Sequence, residues 1–184
     1  MSVVYVVPVA ALRRVVPSSM EVAFEAPFDV ERELAPLGPA ETDVDPDALV
    51  TVALRLESYA GGIRVRGAIE APWRGTCRRC AARADGVVRV TVDERFVSES
   101  QTSDEMSYSF EGDELDLTPL VHDAIMLDLP LAPLCRETCA GLCPQCGADL
   151  NEGPCGCAAP SDPRWATLDA LRFPGEEPGQ SHPA

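Results

Sequence analysis

Eight cysteines carry the conspicuous chemistry of this 184-residue chain, and six of them fall in one stretch, LCRETCAGLCPQCGADLNEGPCGC, residues 134–157. The other two, Cys77 and Cys80, lie far upstream in GTCRRC. The segment CPQCG, Cys143 to Gly147, has the form of a zinc knuckle. Two thiolates at that spacing can point at one metal, and the following glycine lets backbone N–H groups approach the sulfurs. Cys155 and Cys157 offer a second pair, across a turn of Asn151, Glu152, Gly153 and Pro154. Four thiolates on two short turns make a closed tetrahedral site, the structural rather than the catalytic kind. His122 and His182 are the only histidines, and neither is placed to substitute.

Cys135 and Cys139 remain, with Cys77 and Cys80 upstream. Four plus four is the economical partition, giving one or two Zn2+ per chain. The upstream pair would meet Cys135 and Cys139, and a second metal would close a long loop between them. One zinc with four free thiols, or redox and iron–sulfur chemistry, are the competing uses. A thioredoxin-type CxxC belongs where a strand meets a helix, which does not suit CRRC. A role as small apolar core residues does not suit so dense and glycine-rich a group.

The elements that must hold these thiols are legible in part. Val3, Val4, Val6 and Val7 suit an opening strand, and Met20, Val22 and Phe24 alternate with Glu21, Ala23 and Glu25 as in a half-buried one. Residues 29–47 are rich in proline and acid and are expected to be a solvated loop. Val50, Val52, Leu54 and Leu56 alternate with polar neighbours, YAGG follows, and Ile63, Val65, Gly67 and Ile69 alternate again. That pattern predicts a β-hairpin with Arg55, Arg64 and Arg66 on the face away from the core. A third strand over about 86–96 would place Cys77 and Cys80 at the tip of a strand–turn–strand unit. A helix is predicted from Asp116 or Thr118, with Pro119 in its first turn and Pro130 ending it. Leu120, Val121, Ala124, Ile125 and Leu127 form its expected apolar stripe. A last helix would begin at Asp162 and Pro163 and bury Trp165, Leu168 and Leu171.

The expected fold is α+β: an antiparallel β-sheet or small barrel with a helix and a C-terminal zinc-bound cysteine module. Its segments would be a β-rich domain over 1–97 carrying the first CxxC, an acidic flexible loop over 98–114, a helix plus cysteine-rich module over 115–172, and a disordered tail over 173–184.

Charge is unevenly distributed. The net charge is −15, and all fifteen basic residues are arginine. Residues 64–95 hold eight arginines against four acids, while 96–135 contain no arginine at all. Arg64, Arg66, Arg74, Arg78, Arg79 and Arg83 are the candidate nucleic-acid contacts, as phosphate-binding groups around the cysteine turn. An ordinary solvated sheet face is the plainer alternative. The acidic remainder opposes tight nonspecific RNA binding and suits one local patch, or a basic partner held by the acidic tract.

Several classes are excluded. No apolar run reaches a membrane span, and the apolar start lacks the features of a signal peptide. The expectation is a cytoplasmic protein with no membrane and no small-molecule substrate. No phosphate loop or nucleophile elbow is present, so no catalytic residue is assigned. His122 and the acid pairs Asp104/Glu105 and Asp113/Glu114 suit solvated surface better than acid–base catalysis.

CRRC after a hairpin, LDLTPLVHDAIMLDLPLAPLC, CAGLCPQCGADLNEGPCGC and DPRWATLDAL together resemble the YceD family, the large ribosomal RNA subunit accumulation proteins. The resemblance spans Val50 to Leu171 and, more loosely, the N-terminal strands. It implies a bacterial or plastid protein needed for normal 23S rRNA accumulation, hence large-subunit ribosome biogenesis, and supplies no catalytic residue. The expected function is therefore a non-enzymatic assembly factor, shaped by zinc, whose partner is large-subunit rRNA or a basic ribosomal protein. A holding chaperone for such a protein without RNA contact, or a thiol redox sensor, are the alternatives.

Overall fold

The structure is a computed structural model that describes residues 5–28, 42–45, 48–98, 108–157 and 164. The strands are β1 (Val6–Pro8), β2 (Ser19–Pro27), β3 (Thr42–Val44), β4 (Leu49–Tyr59), β5 (Gly62–Thr76), β6 (Arg83–Ser98), β7 (Tyr108–Phe110) and β8 (Glu114–Asp116), with helices α1 (Ala10–Arg14) and α2 (Thr118–Asp128). Two compact units result, Met1–Gly141 and Leu142–Ala184. Helix α2, Cys135 and Cys139 therefore belong with the sheet.

Period-two patterning builds the sheet of the first unit. In β4, Val50, Val52, Leu54 and Leu56 are buried while Thr51, Ala53 and Arg55 face solvent. The antiparallel partner β5 repeats this with Ile63, Val65 and Ile69. β5 and β6 pair without interruption from Gly62↔Val97 to Thr76↔Arg83, well beyond the stretches that alternate most clearly. Fifteen residues of strand span about 50 Å, so Cys77 to Ala82 form a turn at the far end of a long ribbon.

The strand order is β2-β4-β5-β6-β7, with β3 added against β5, and it does not return on itself. The sheet is thus open and, because β7 joins β6 in parallel, mixed. The expected architecture is corrected there: this is a mostly-sheet α+β fold, and no barrel closure is seen among the described residues. Two short strands occupy segments expected as loops. Thr42 and Val44 of β3 are buried, and β7 lies inside the acidic 98–114 stretch. Both are too short to stand out by pattern, since a three-residue strand is fixed by its partner.

α2 begins where Asp116 Oδ1 accepts a hydrogen bond from the Thr118 N–H at 2.9 Å, with Pro119 in the first turn. Leu120, Val121, Ala124 and Ile125 are buried and join Leu54, Leu56, Ile69 and Phe96 in one core. Full burial of each such side chain stabilises the fold by about 1.5–3 kcal/mol. Leu127 departs from the expected stripe. It is 88% exposed, and Leu129, just past the helix end, is buried in its stead. Among the described residues no helix is long and apolar enough to cross a membrane. Val3, Val4 and the predicted helix with Asp162, Pro163, Trp165, Leu168 and Leu171 lie outside the described residues.

Candidate metal centres

The long β5–β6 ribbon delivers Cys77 and Cys80 to the segment that follows α2. Pro133 O in that segment accepts the Arg78 N–H at 2.9 Å. Cys77, Cys80, Cys135 and Cys139 come together, and in the second unit so do Cys143, Cys146, Cys155 and Cys157. Within each tetrad all ligand atoms lie within 4.8 Å of one another, and all eight cysteines are free thiols.

The donor set fits a tetrahedral thiolate metal. Zinc–sulfur bonds of about 2.3 Å imply sulfurs about 3.8 Å apart. Cys77 Sγ lies 3.8 Å from Cys139 Sγ, and Cys80 Sγ lies 3.6 Å from Cys135 Sγ. These are two opposite edges of one tetrahedron. Trp73, Ala84 and Leu134 pack about the buried Cys77 and Cys139, while Cys80 is half-buried and Cys135 is exposed.

CRRCAA and CPQCGA fold alike. The Ala81 N–H bonds to Cys77 O and the Gly147 N–H to Cys143 O, both at 2.9 Å. The Cys77 N–H bonds to Ala82 O at 2.7 Å, and the Cys143 N–H to Ala148 O at 2.8 Å. The residue after the second cysteine is left-handed in both, with φ 58° at Ala81 and 73° at Gly147. A glycine marked the second knuckle in the sequence. Alanine in the same backbone state concealed the first.

This geometry divides the thiols electrostatically. Backbone hydrogen bonds from Cys135, Cys80 and Arg79 outweigh burial and bring Cys77 down to about 6. Those from Cys146 and Gln145 do the same for Cys143, also to about 6. Burial, with the crowding thiols of Cys80 and Cys139, pushes Cys135 up to about 12. Cys157 is likewise pushed to about 12, by Cys146, Cys143 and burial in that order. Each site thus pairs one thiol whose pKa is lowered with one whose pKa is raised, and a bound metal would require both as thiolates.

In the second unit, Asp149 shapes the turn before the second cysteine pair. Its Oδ1 accepts the Asn151 N–H at 2.8 Å, and Leu142 bridges to Asp149 across the knuckle.

The candidate arginines separate into two groups. Arg64 and Arg66 sit near the start of β5, ten and eight residues from Arg74, or about 26–33 Å along the strand. Arg64 grips Asp93 through two hydrogen bonds of 2.6 and 2.8 Å, and Arg66 reaches the same carboxylate at 3.3 Å. Hydrogen bonding and charge from Arg64 hold Asp93 below the usual carboxylate range. At the other end, Arg74 pairs with Asp45 at 3.8 Å and Arg83 with Asp85 at 3.2 Å. Arg79 Nη1 donates to Cys139 O at 2.7 Å, bracing the first tetrad, a role its sequence position did not signal. Arg78 is exposed at the turn and has no ion pair among the described residues. His122 stacks on Phe28 with ring centroids 5.8 Å apart and lies 3.3 Å from Asp123.

A sequence profile described as Large ribosomal RNA subunit accumulation protein YceD matches residues 65–172, a span containing both tetrads. The chain belongs to the YceD family. An uncharacterized protein of Mycobacterium tuberculosis is 38% identical over 136 residues, 71% of this chain and 66% of that relative. An uncharacterized protein of Mycobacterium leprae is 31% identical over 147 residues, 77% of this chain and 67% of its own length. The chain thus spans about two thirds of these relatives. The chloroplastic Large ribosomal RNA subunit accumulation protein YCED homolog 1 of Arabidopsis thaliana is 32% identical over 70 residues, 38% of this chain and 22% of its own. No solved structure matches the chain. Membership of the YceD family agrees with the resemblance seen in the motifs.

Proposed function

We propose that this chain is a non-enzymatic, cytoplasmic factor in large ribosomal subunit biogenesis that binds immature 23S rRNA, with zinc in both tetrads fixing its shape. Family membership supports the process, and the plant relative is likewise named a large ribosomal RNA subunit accumulation protein homolog. The observation that supports the zinc is the pair of all-sulfur tetrads, each with its four ligand atoms within 4.8 Å of one another, the donor set of a closed structural site. Zinc would hold the tip of the β5–β6 ribbon against residues 133–139, and so fix Arg78 and Arg79 in position. RNA is the favoured partner over a basic ribosomal protein because the turn presents Arg78 outward without a carboxylate partner among the described residues.

The reading is tested by removing the protein from its host and measuring the ratio of 23S to 16S rRNA. The ratio should fall, and recover with the wild-type chain but not with Cys77→Ser/Cys80→Ser. An unchanged ratio on removal would contradict it.

A further inference from the structure

The solvent face of the sheet carries a second concentration of arginine, at the opposite end from the cysteine turn. Outward residues line up in rows across the strands. One row reads Glu21, Arg55, Arg66, Asp93, and the next reads Ser19, Glu57, Arg64, Arg95. Four guanidinium groups thus face three carboxylates. In each row two arginines are direct cross-strand neighbours, an arrangement that costs free energy unless opposite charge answers it. Glu21 and Asp93 answer the first row from both ends. In the second row, Arg55 draws Glu57 to 2.9 Å and Asp93 takes Arg64, while Arg95 has no ion pair among the described residues.

These groups border a cleft of about 610 Å³, lined by Arg55, Arg64, Arg95, Ser19, Glu57 and Tyr59 among others. The volume suits one nucleotide-sized unit. The walls are held in place. Arg64 spends two of its five N–H donors on Asp93 and, among the described residues, keeps three. Arg55 is fixed by Glu57, Glu21 and Ser19, the last at 3.1 Å. Tyr59 lies over Gly62, where an added Cβ would meet its hydroxyl at 2.9 Å and the Phe96 carbonyl oxygen at 2.1 Å. Glycine there gives the ring its place beside the arginines. Pre-positioned guanidinium donors, one cation with no ion pair among the described residues and an aromatic ring describe a site for a phosphate with a base beside it.

We infer that this cleft binds a nucleotide unit of single-stranded RNA, with Arg95 and Arg64 on the phosphate and Tyr59 against the base. The inference rests on the RNA reading of the proposed function and moves the principal contact from the cysteine turn to Arg95, a residue outside the arginines singled out in the sequence.

The test is binding of a 23S rRNA transcript to the full chain at several salt concentrations. Arg95→Glu should weaken binding at least tenfold and Tyr59→Ala about tenfold. The milder Arg95→Gln should lower the salt slope by about one. Zinc content and circular dichroism should match wild type in all three. Unchanged affinity and slope in the Arg95 variants, with loss in Arg78→Glu/Arg79→Glu, would overturn the cleft while leaving the RNA reading intact. A wild-type chain that does not bind the transcript would overturn both.

Discussion

The sulfurs of Cys77 and Cys139 stand 3.8 Å apart although 62 positions separate them in the chain. A turn at the end of a ribbon and a proline-bounded segment after α2 meet at one point, with no disulfide joining them. A metal there would close a loop containing β6, β7, β8 and α2, and closure is most valuable when the loop is long. Such a metal would explain why two cysteines lie so far from the other six.

The two knuckles should respond oppositely to a methyl group. Gly147 has open space where a Cβ would go, so Gly147→Ala should cost only its left-handed strain, about 1 kcal/mol. Ala81 already bears that strain, so Ala81→Gly should be neutral or stabilise by up to about 1 kcal/mol. Chemical denaturation of the zinc-loaded chain measures both. Equal destabilisation by the two changes would refute the matched geometry.

Leu127 and Leu129 should also part company. Leu127→Ala removes an exposed side chain and should shift stability by less than about 0.5 kcal/mol. Leu129→Ala empties a buried position and should cost about 2–5 kcal/mol. The same denaturation curves decide it, and a large cost for Leu127→Ala would place that residue in the core after all.

This pair shows how far the sequence could be read. Strong alternation located β4 and β5, and Pro119 and Pro130 bracketed α2, because backbone rules act locally. Leu127 and Leu129 differ only in whether the chain turns inward after the helix, which packing decides. β3 and β7 have no pattern of their own and exist through their partners. The thiol partition was legible because four sulfurs per metal is a chemical constraint. The Arg95 cleft was not, since Arg64 and Arg95 become neighbours only through strand register.

Tyr108 should give the fold a pH dependence in base. Burial first, then Asp123 and Glu94, push its hydroxyl up to about 12. The folded value lies above the ordinary one of about 10, so the contribution is complete below about pH 10 and is lost as pH rises through about 12. The urea midpoint should therefore fall between about pH 10 and pH 12, and Tyr108→Phe should flatten that part of the decline. An identical decline in the variant would show that Tyr108 is not its source.

Acid should release the metal. Cys77 and Cys143, near 6, contribute stability above their ordinary thiol range that is lost as pH falls through about 6. Cys135 and Cys157, near 12, hold protons at neutral pH until metal displaces them. Zinc affinity, read by chelator competition, should drop at least tenfold per pH unit below neutrality. A flat profile would mean that the thiols are not the ligands.

The most direct test of the central claim is zinc per chain, by elemental analysis of anaerobically purified protein, in wild type and in Cys77→Ser/Cys80→Ser. Two zinc ions in the wild type and one in the variant are expected. One zinc in both would contradict a metal at Cys77, Cys80, Cys135 and Cys139, and leave those four thiols for another chemistry.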